Sequence, residues 1–373
     1  MNDSIGVLAI NFGEPDEPTM DKVVPFLERI FLQNANLEPD ESGRERARQL
    51  AEGRAPGLIE EYEKIGGSPL NRQADEQAVA LEVALKARGR NARVYSVFQF
   101  TEPSIEQGVA QAREDGVDIL VAVPVYPICG RSTTVAALET VRECLDALEW
   151  RPGFQGVSGW HHAEAYVELR TENVRSYLAE NGLDLQDPDT LLYFSVHGTP
   201  IKYLDEGNRY DRYVEEQCRD ISSRLGADRY GVGFQNHTNR RIAWTQPDNE
   251  DRIREASARR LVVVPISFMH EQSETLAELD HELKEFVESL GKELHRVPVP
   301  HDSERFTAFL ADLVETLVPS AEGEAAGGAA YRGTRGVFAL DRCRCAPLEG
   351  VWCTNGSREL PPSPYARERQ AAS

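Results

Sequence analysis

Short apolar runs rich in Val, Ile and Leu alternate along this chain with longer stretches of helical periodicity, and this alternation restricts the fold more than any other feature. Runs spaced by helices cannot pair as hairpins, so they assemble into parallel sheets with helices over both faces. Ile5–Asn11, Val94–Phe100, Ile119–Val125, Leu191–Val196, Tyr230–Phe234 and Leu261–Ile266 read as strands. Gln73–Ala87 reads as an amphipathic helix stopped by Gly89, whose missing Cβ suits a left-handed cap. At 373 residues, 40% of them apolar, the chain exceeds one ordinary core. The expected class is α/β: two similar Rossmann-like domains, each a parallel sheet flanked by helices, with a cleft between them.

The boundaries follow the pattern. Residues 1–150 form the N-terminal half and 151–320 the C-terminal half, whose last helix could pack back on the first. Residues 321–373 form a linker and a Cys-containing tail with a frayed Pro/Ser/Arg end. Leu8–Pro15 parallels Leu192–Pro200, Tyr95–Gln99 parallels Tyr230–Gln235, and Leu120–Pro124 parallels Leu261–Pro265, in the same order. Duplication explains this; so does the general sameness of buried parallel strands.

The net charge of −21 disfavours nucleic acid, which needs clustered Lys and Arg, and repels anionic membranes. Met1-Asn2-Asp3-Ser4-Ile5 lacks the basic and apolar regions of a signal peptide, and the longest apolar run is far short of a membrane span. Six cysteines in so long a chain are no disulfide scaffold, so a reduced cytoplasmic setting is expected.

Two strand ends carry the candidate chemistry. Phe194-Ser195-Val196-His197-Gly198-Thr199-Pro200 ends an apolar run in a tight turn that can aim an imidazole into a cleft, although an ordinary strand-end His would look the same. Met269-His270-Glu271-Gln272-Ser273-Glu274 opens a helix on which Glu274, Glu278 and Glu282 share one face at i, i+4 and i+8. That row is either a solvated acidic face or a relay for a hydrated divalent cation. His270, Glu271, Asp280 and His281 add ligand-type groups nearby. Gly66-Gly67-Ser68-Pro69-Leu70 precedes a helix and reads as a turn or an anion-binding loop. Cys343, Cys345 and Cys353 offer three soft ligands for iron–sulfur or zinc, with Cys129 or Cys144 as the fourth. The pair His161-His162 reads as incidental.

Together the segments resemble the ferrochelatases, which insert ferrous iron into a porphyrin in haem synthesis. The matching residues are Phe12-Gly13-Glu14-Pro15, Tyr62 to Leu70, Tyr126-Pro127 with Ser132-Thr133-Thr134, Ser195 to Pro200, Gly233-Phe234-Gln235 with Trp244 and Pro247, and Val264 to Leu276. The resemblance implies a porphyrin in the interdomain cleft, with His197 and Glu274 as the catalytic pair. His197, Glu274, Glu278 and Glu282 would meet the metal, Fe²⁺ being a substrate, on a helix with π-type distortion. Phe12, Gln99, Tyr126, Ser132 and Trp244 would line the porphyrin cleft. A candidate 2Fe–2S cluster would take Cys343, Cys345, Cys353 and Cys129, the last because Arg131 stands where some relatives place a cluster cysteine. Gln99-Phe100 replaces a basic and a hydrogen-bonding residue of several relatives. Partners are porphyrin and ferrous iron; peripheral membrane contact is left open, and a monomer is expected. A porphyrin or haem carrier, and a cobalt or nickel chelatase of the same fold, are the alternatives.

Overall fold

The strands at the centre of each sheet are buried on both faces, which is why their runs are continuously apolar rather than alternating. The computed structural model describes residues 3–37, 43–236, 242–318, 351–353 and 363–365. In the first sheet β1 (Ile5–Asn11), β2 (Ala92–Phe98), β3 (Ile119–Pro124) and β4 (Gly153–Ser158) lie in the order β2-β1-β3-β4. In the second, β5 (Thr190–His197), β6 (Tyr230–Gln235), β7 (Arg260–Pro265) and β8 (Glu293–Arg296) lie in the order β6-β5-β7-β8. All pairings are parallel, and the two orders are the same topology repeated. Strand β9 (Val351–Cys353), from the segment expected to be only linker and tail, adds to the first sheet beside β4.

Side-chain alternation splits each sheet between two cores. Ile5, Val7, Val121 and Val123 face Leu81 and Leu85 of the helix Leu70–Ala87 and Phe306, Phe309 and Leu313 of the helix Glu304–Leu317. Leu8, Ile10, Leu120 and Ala122 point the other way, onto Ile105, Val109, Leu138 and Val141. In the second sheet Leu192, Phe194 and Val264 meet Tyr213, Val214 and Ile221, while Tyr193, Leu261 and Val263 meet Ile253, Leu279 and Val287. The helix Glu304–Leu317, last in the C-terminal half by sequence, therefore packs on the first sheet. Residues 363–365 of the tail are also docked: Ser363 is buried and donates to Asp211 Oδ2 at 2.7 Å, and Tyr365 donates to the Gln246 carbonyl at 2.6 Å. The expectation of fraying fails there because these two hydroxyls find buried or backbone acceptors. No helix among the described residues is long and apolar enough to cross a membrane.

In both sheets the strand order turns back at the first strand. Chain segments leaving β1 and β3, and β5 and β7, diverge at their carboxyl ends, the crevice where such sheets collect ligands.

Candidate active site

The segments after β1, β3, β5 and β7 line one cavity of about 820 Å³. The first sheet's side carries an apolar wall: Phe12 packs on Phe100 and Phe26 with ring centroids 4.6 and 6.0 Å apart, and Leu27, Ile30 and Phe31 continue it. The second sheet's side is polar. His197 stands at the last position of β5, and Glu274 heads the short helix Ser273–Leu276 after β7. Neither is near the other in sequence, yet His197 Nε2 lies 3.1 Å from Glu274 Oε1.

Each member of this pair is oriented from behind. The ring's Nδ1 lies 2.6 Å from the Gly198 carbonyl, which only accepts, so Nδ1 carries a hydrogen and the titrating proton is the one at Nε2. The His197 N–H donates to Ser267 Oγ at 3.0 Å, and the Tyr210 hydroxyl donates to the His197 carbonyl at 3.0 Å. Gly198 has no alternative: a Cβ there would lie 1.9 Å from Asn236 Oδ1. The second carboxylate oxygen of Glu274 accepts from the Gln272 side-chain amide. Gln235, whose Oε1 accepts from Ser195, donates its amide to the Glu274 carbonyl at 2.9 Å and to Glu278 Oε2 at 3.0 Å.

Charge follows from this packing. Burial lowers the His197 pKa, but the carboxylates of Glu274 and Glu278 outweigh it and lift it to about 9. At neutral pH the imidazole is therefore held as imidazolium against Glu274. Glu278 goes up to about 8, first through burial and then through repulsion by Glu274. His270 also lines the cavity but is pushed down to about 3 by burial and by His301, so it stays neutral. Glu14, at the turn after β1, is buried and raised, burial outweighing the hydrogen bonds it accepts from Ser273 and Ser68.

The expected row of acids is only partly in the cavity. Glu278 lines it, whereas Glu282 is exposed one turn further along. Between them, Glu278–Leu283 is π-helical, with the Glu282 N–H reaching the Ala277 carbonyl five residues back at 3.1 Å. Glu271 and Asp280 are occupied in a brace, both accepting from Arg296 at 2.6–2.7 Å, and His281 faces outward.

Phe12, Tyr126, Ser132 and Trp244 line the cavity. Gln99, expected beside them, does not. It stands behind Tyr126, accepting from the phenol at 2.5 Å and donating to the Ser132 carbonyl at 3.3 Å, so it supports the wall rather than forming it. His161 is more than incidental, being buried with Nε2 3.1 Å from Glu216 and stacked on Tyr213. Cys129 is buried beneath the site, and a Cβ on Gly159 would lie 2.8 Å from its Cβ. Cys353 ends β9 opposite Ser158, while Cys343 and Cys345 lie outside the described residues. Sequence reasoning passed over Glu14 as part of a turn, although a carboxylate set between Gly13 and Pro15 at a strand's carboxyl end was a usable signal. Gly13 has φ +81°, and its Cβ would lie 2.2 Å from Thr101 Oγ1, so only glycine makes the turn that carries Glu14.

Known proteins resemble this chain over most of its length. The ferrochelatase family model matches residues 4–317, a span that takes in both sheets up to β8 and every residue of the cavity. A ferrochelatase of Synechococcus elongatus is 33% identical over 326 residues, 83% of this chain and 82% of that protein. A Nostoc ferrochelatase is 31% identical over 83% of this chain and 81% of its own length. The chloroplastic ferrochelatase-2 of Arabidopsis thaliana is 32% identical over 84% of this chain and 64% of its own length. Among solved structures, SirB from Bacillus subtilis with Fe³⁺ superposes with a TM-score of 0.48 and 11% identity over 83% of this chain and 95% of that one. On the family model and these relatives, the chain belongs to the ferrochelatase family.

Proposed function

We propose that this chain is a porphyrin metal chelatase, a lyase that inserts Fe²⁺ into a porphyrin held in the cleft. The observation that carries the reading is His197 Nε2 at 3.1 Å from Glu274 Oε1, on the polar side of an 820 Å³ cavity whose other side is aromatic and aliphatic. The cavity is of the size that takes a large flat ligand, with few and placed polar groups.

Insertion exchanges two pyrrolic protons for one metal ion, so the site must accept protons while offering the metal ligands. With Nδ1 committed to the Gly198 carbonyl, Nε2 alone can do either. As Fe²⁺ reaches Glu274 and Glu278, its charge disfavours the imidazolium, and His197 loses the Nε2 proton. The neutral ring then takes the two pyrrolic protons in turn, handing each to Glu274 at 3.1 Å, and Glu274 and Glu278, at the cavity wall, pass them outward. Glu282, exposed beyond Glu278, is where the hydrated ion is first met. Proton transfer of this kind contributes roughly 10²–10⁴-fold. The porphyrin lies along Phe12, Tyr126, Ser132 and Trp244.

Mixing the protein anaerobically with Fe²⁺ and either protoporphyrin IX or coproporphyrin III, and following the visible spectrum, tests the reading. Catalytic loss of the free-base bands is the expected result. Stoichiometric binding without turnover identifies a carrier instead, and turnover only with cobalt or nickel and a more heavily carboxylated tetrapyrrole identifies a different chelatase.

The same reading includes a 2Fe–2S cluster on Cys129, Cys343, Cys345 and Cys353. It is supported by the β4–β9 register, which sets the backbone of Cys353 opposite Ser158, one residue before the Gly159 that packs on Cys129. Bound, such a cluster would supply a redox-active crosslink between tail and core. Acid-labile sulfide in the purified protein, lost in Cys353→Ser, is the expected result. A cytoplasmic monomer completes the reading; gel filtration with light scattering tests the second part.

A further inference from the structure

The turn bearing Glu274 belongs to the second half, but the first half holds it. Glu14 enters from the turn after β1 and is 4% exposed. Its Oε1 accepts from the Tyr62 hydroxyl at 3.1 Å and from the Ser273 hydroxyl. Its Oε2 accepts from the Ser68 hydroxyl and from the Ser273 N–H at 3.1 Å. Four donors fill the four lone-pair positions a carboxylate offers. Two residues before Ser273, the Glu271 N–H donates to Gln73 Oε1 at 2.8 Å, again from the first half.

All four donors to Glu14 are neutral, and the charge that acts on it is the like charge of Glu274. A buried carboxylate without a cation is an expensive way to hold two halves together. Its geometry serves another purpose. Ser273 immediately precedes Glu274, and Gln272, immediately before Ser273, donates to the Glu274 carboxylate. Fixing the Ser273 amide and hydroxyl fixes the start of the helix and with it the Oε1 that meets His197.

We infer that Glu14 is a positioning residue for metal insertion: anchored at the first half's aromatic wall, it grips Ser273 and so sets where the Glu274–His197 pair stands against the porphyrin plane. This rests on the chelatase reading. Misplacement of reacting groups by about 1 Å can lower a rate by as much as 10²-fold without weakening substrate binding.

The test measures kcat, the KM for porphyrin, and the NMR signals of the His197 ring in Glu14→Ala, Glu14→Gln and Ser273→Ala. Glu14→Ala is expected to lower kcat by about tenfold or more, with the porphyrin KM within about twofold and the His197 signals shifted. Glu14→Gln can turn its carbonyl to the Ser273 N–H and is expected to recover most of kcat; Ser273→Ala keeps the N–H and is expected to lose about threefold. Should Glu14→Ala not fold, the other two carry the comparison. Native kcat with unmoved His197 signals in Ser273→Ala overturns the inference, as does a Glu14→Ala that lowers the melting temperature with kcat unchanged or raises the porphyrin KM alone. If the native protein inserts no metal, the functional reading fails first, and the His197 signals of the variants still decide whether Glu14 positions the pair.

Discussion

The two sides of the cleft are built from the same topology and yet are chemically opposite. The first sheet offers rings and aliphatic side chains, Phe12, Phe26, Leu27, Ile30, Phe31 and Phe100; the second offers His197, Glu274 and Glu278 held by amides. A repeated fold thus supplies two switch points, one furnished for a flat apolar ligand and the other for protons and a cation. Binding and chemistry are separable in such a site: damage to the first side should appear in the KM for porphyrin, and damage to the second in kcat or in the KM for metal.

The largest effect should come from His197. His197→Ala removes the proposed acceptor of the pyrrolic protons, and kcat should fall about 10²–10⁴-fold, while porphyrin titration by absorbance gives an unchanged affinity. Loss of porphyrin affinity in this variant breaks the division between the walls. Next come two substitutions of comparable size and opposite signature. Glu278→Gln should raise the KM for Fe²⁺ about tenfold with little change for porphyrin. Phe12→Ala should raise the KM for porphyrin about tenfold, since an aromatic side chain contributes on the order of 1.5–3 kcal/mol when buried. Initial rates with each substrate varied in turn check both, and crossed effects would show that the two sides act as one.

pH sharpens the contrast, because His197 and Glu278, which titrate at about 9 and about 8, both stand on the second side. Glu278 takes up a proton with a pKa of about 8 and His197 with about 9, both above their ordinary values. Metal and proton compete for these groups, so kcat/KM for Fe²⁺ should climb with pH toward 8–9, as a joint property of the coupled groups. Stability runs the other way. A raised folded-state pKa stabilises fully below the ordinary value and ceases to do so above the folded one. For Glu278 that loss runs from 4.5 up to about 8, and for His197 from 6.5 up to about 9. The melting temperature of the substrate-free protein should therefore fall between pH 6.5 and 9, and less so in His197→Ala or Glu278→Gln. Equal slopes in all three would place the titrating groups elsewhere.

What could be read from the sequence tracks how each part is stabilised. β1 was legible to both ends, and β5 and β7 to within a residue or so at each end, because strands buried on both faces have no choice but continuous apolar residues. β4 was invisible: Gly153-Phe154-Gln155-Gly156 lacks any β-branched run, and β8 is a half-buried edge of Glu, Leu, His and Arg. The helices Met20–Gln33 and Arg44–Ile65 carry Pro25 and Pro56 inside them, residues that read as breaks. At the site, His197 and Glu274 were legible as polar groups at strand ends, but their 3.1 Å approach depends on two sheets meeting, and no local pattern encodes that. Glu14 was missed for the same reason: its partners Tyr62, Ser68 and Ser273 are 48, 54 and 259 residues away.

The smallest expected effect falls on Glu282. By spacing it belongs with Glu274 and Glu278, but the π-helical turn leaves it exposed, and partial burial together with the nearby Glu61 raises its pKa, without the amide donor that holds Glu278. An exposed carboxylate can raise the local concentration of a divalent cation but cannot fix its position, and salt screens it over about 10 Å at 0.1 M. Glu282→Gln should raise the KM for Fe²⁺ by about twofold at low salt and leave kcat alone, the difference vanishing as ionic strength rises. Initial rates across a salt series measure this directly. A drop in kcat as deep as that of Glu278→Gln would mean that the cation reaches the porphyrin along the whole acidic face, and that the second side of the cleft extends a full turn further toward solvent than its geometry indicates.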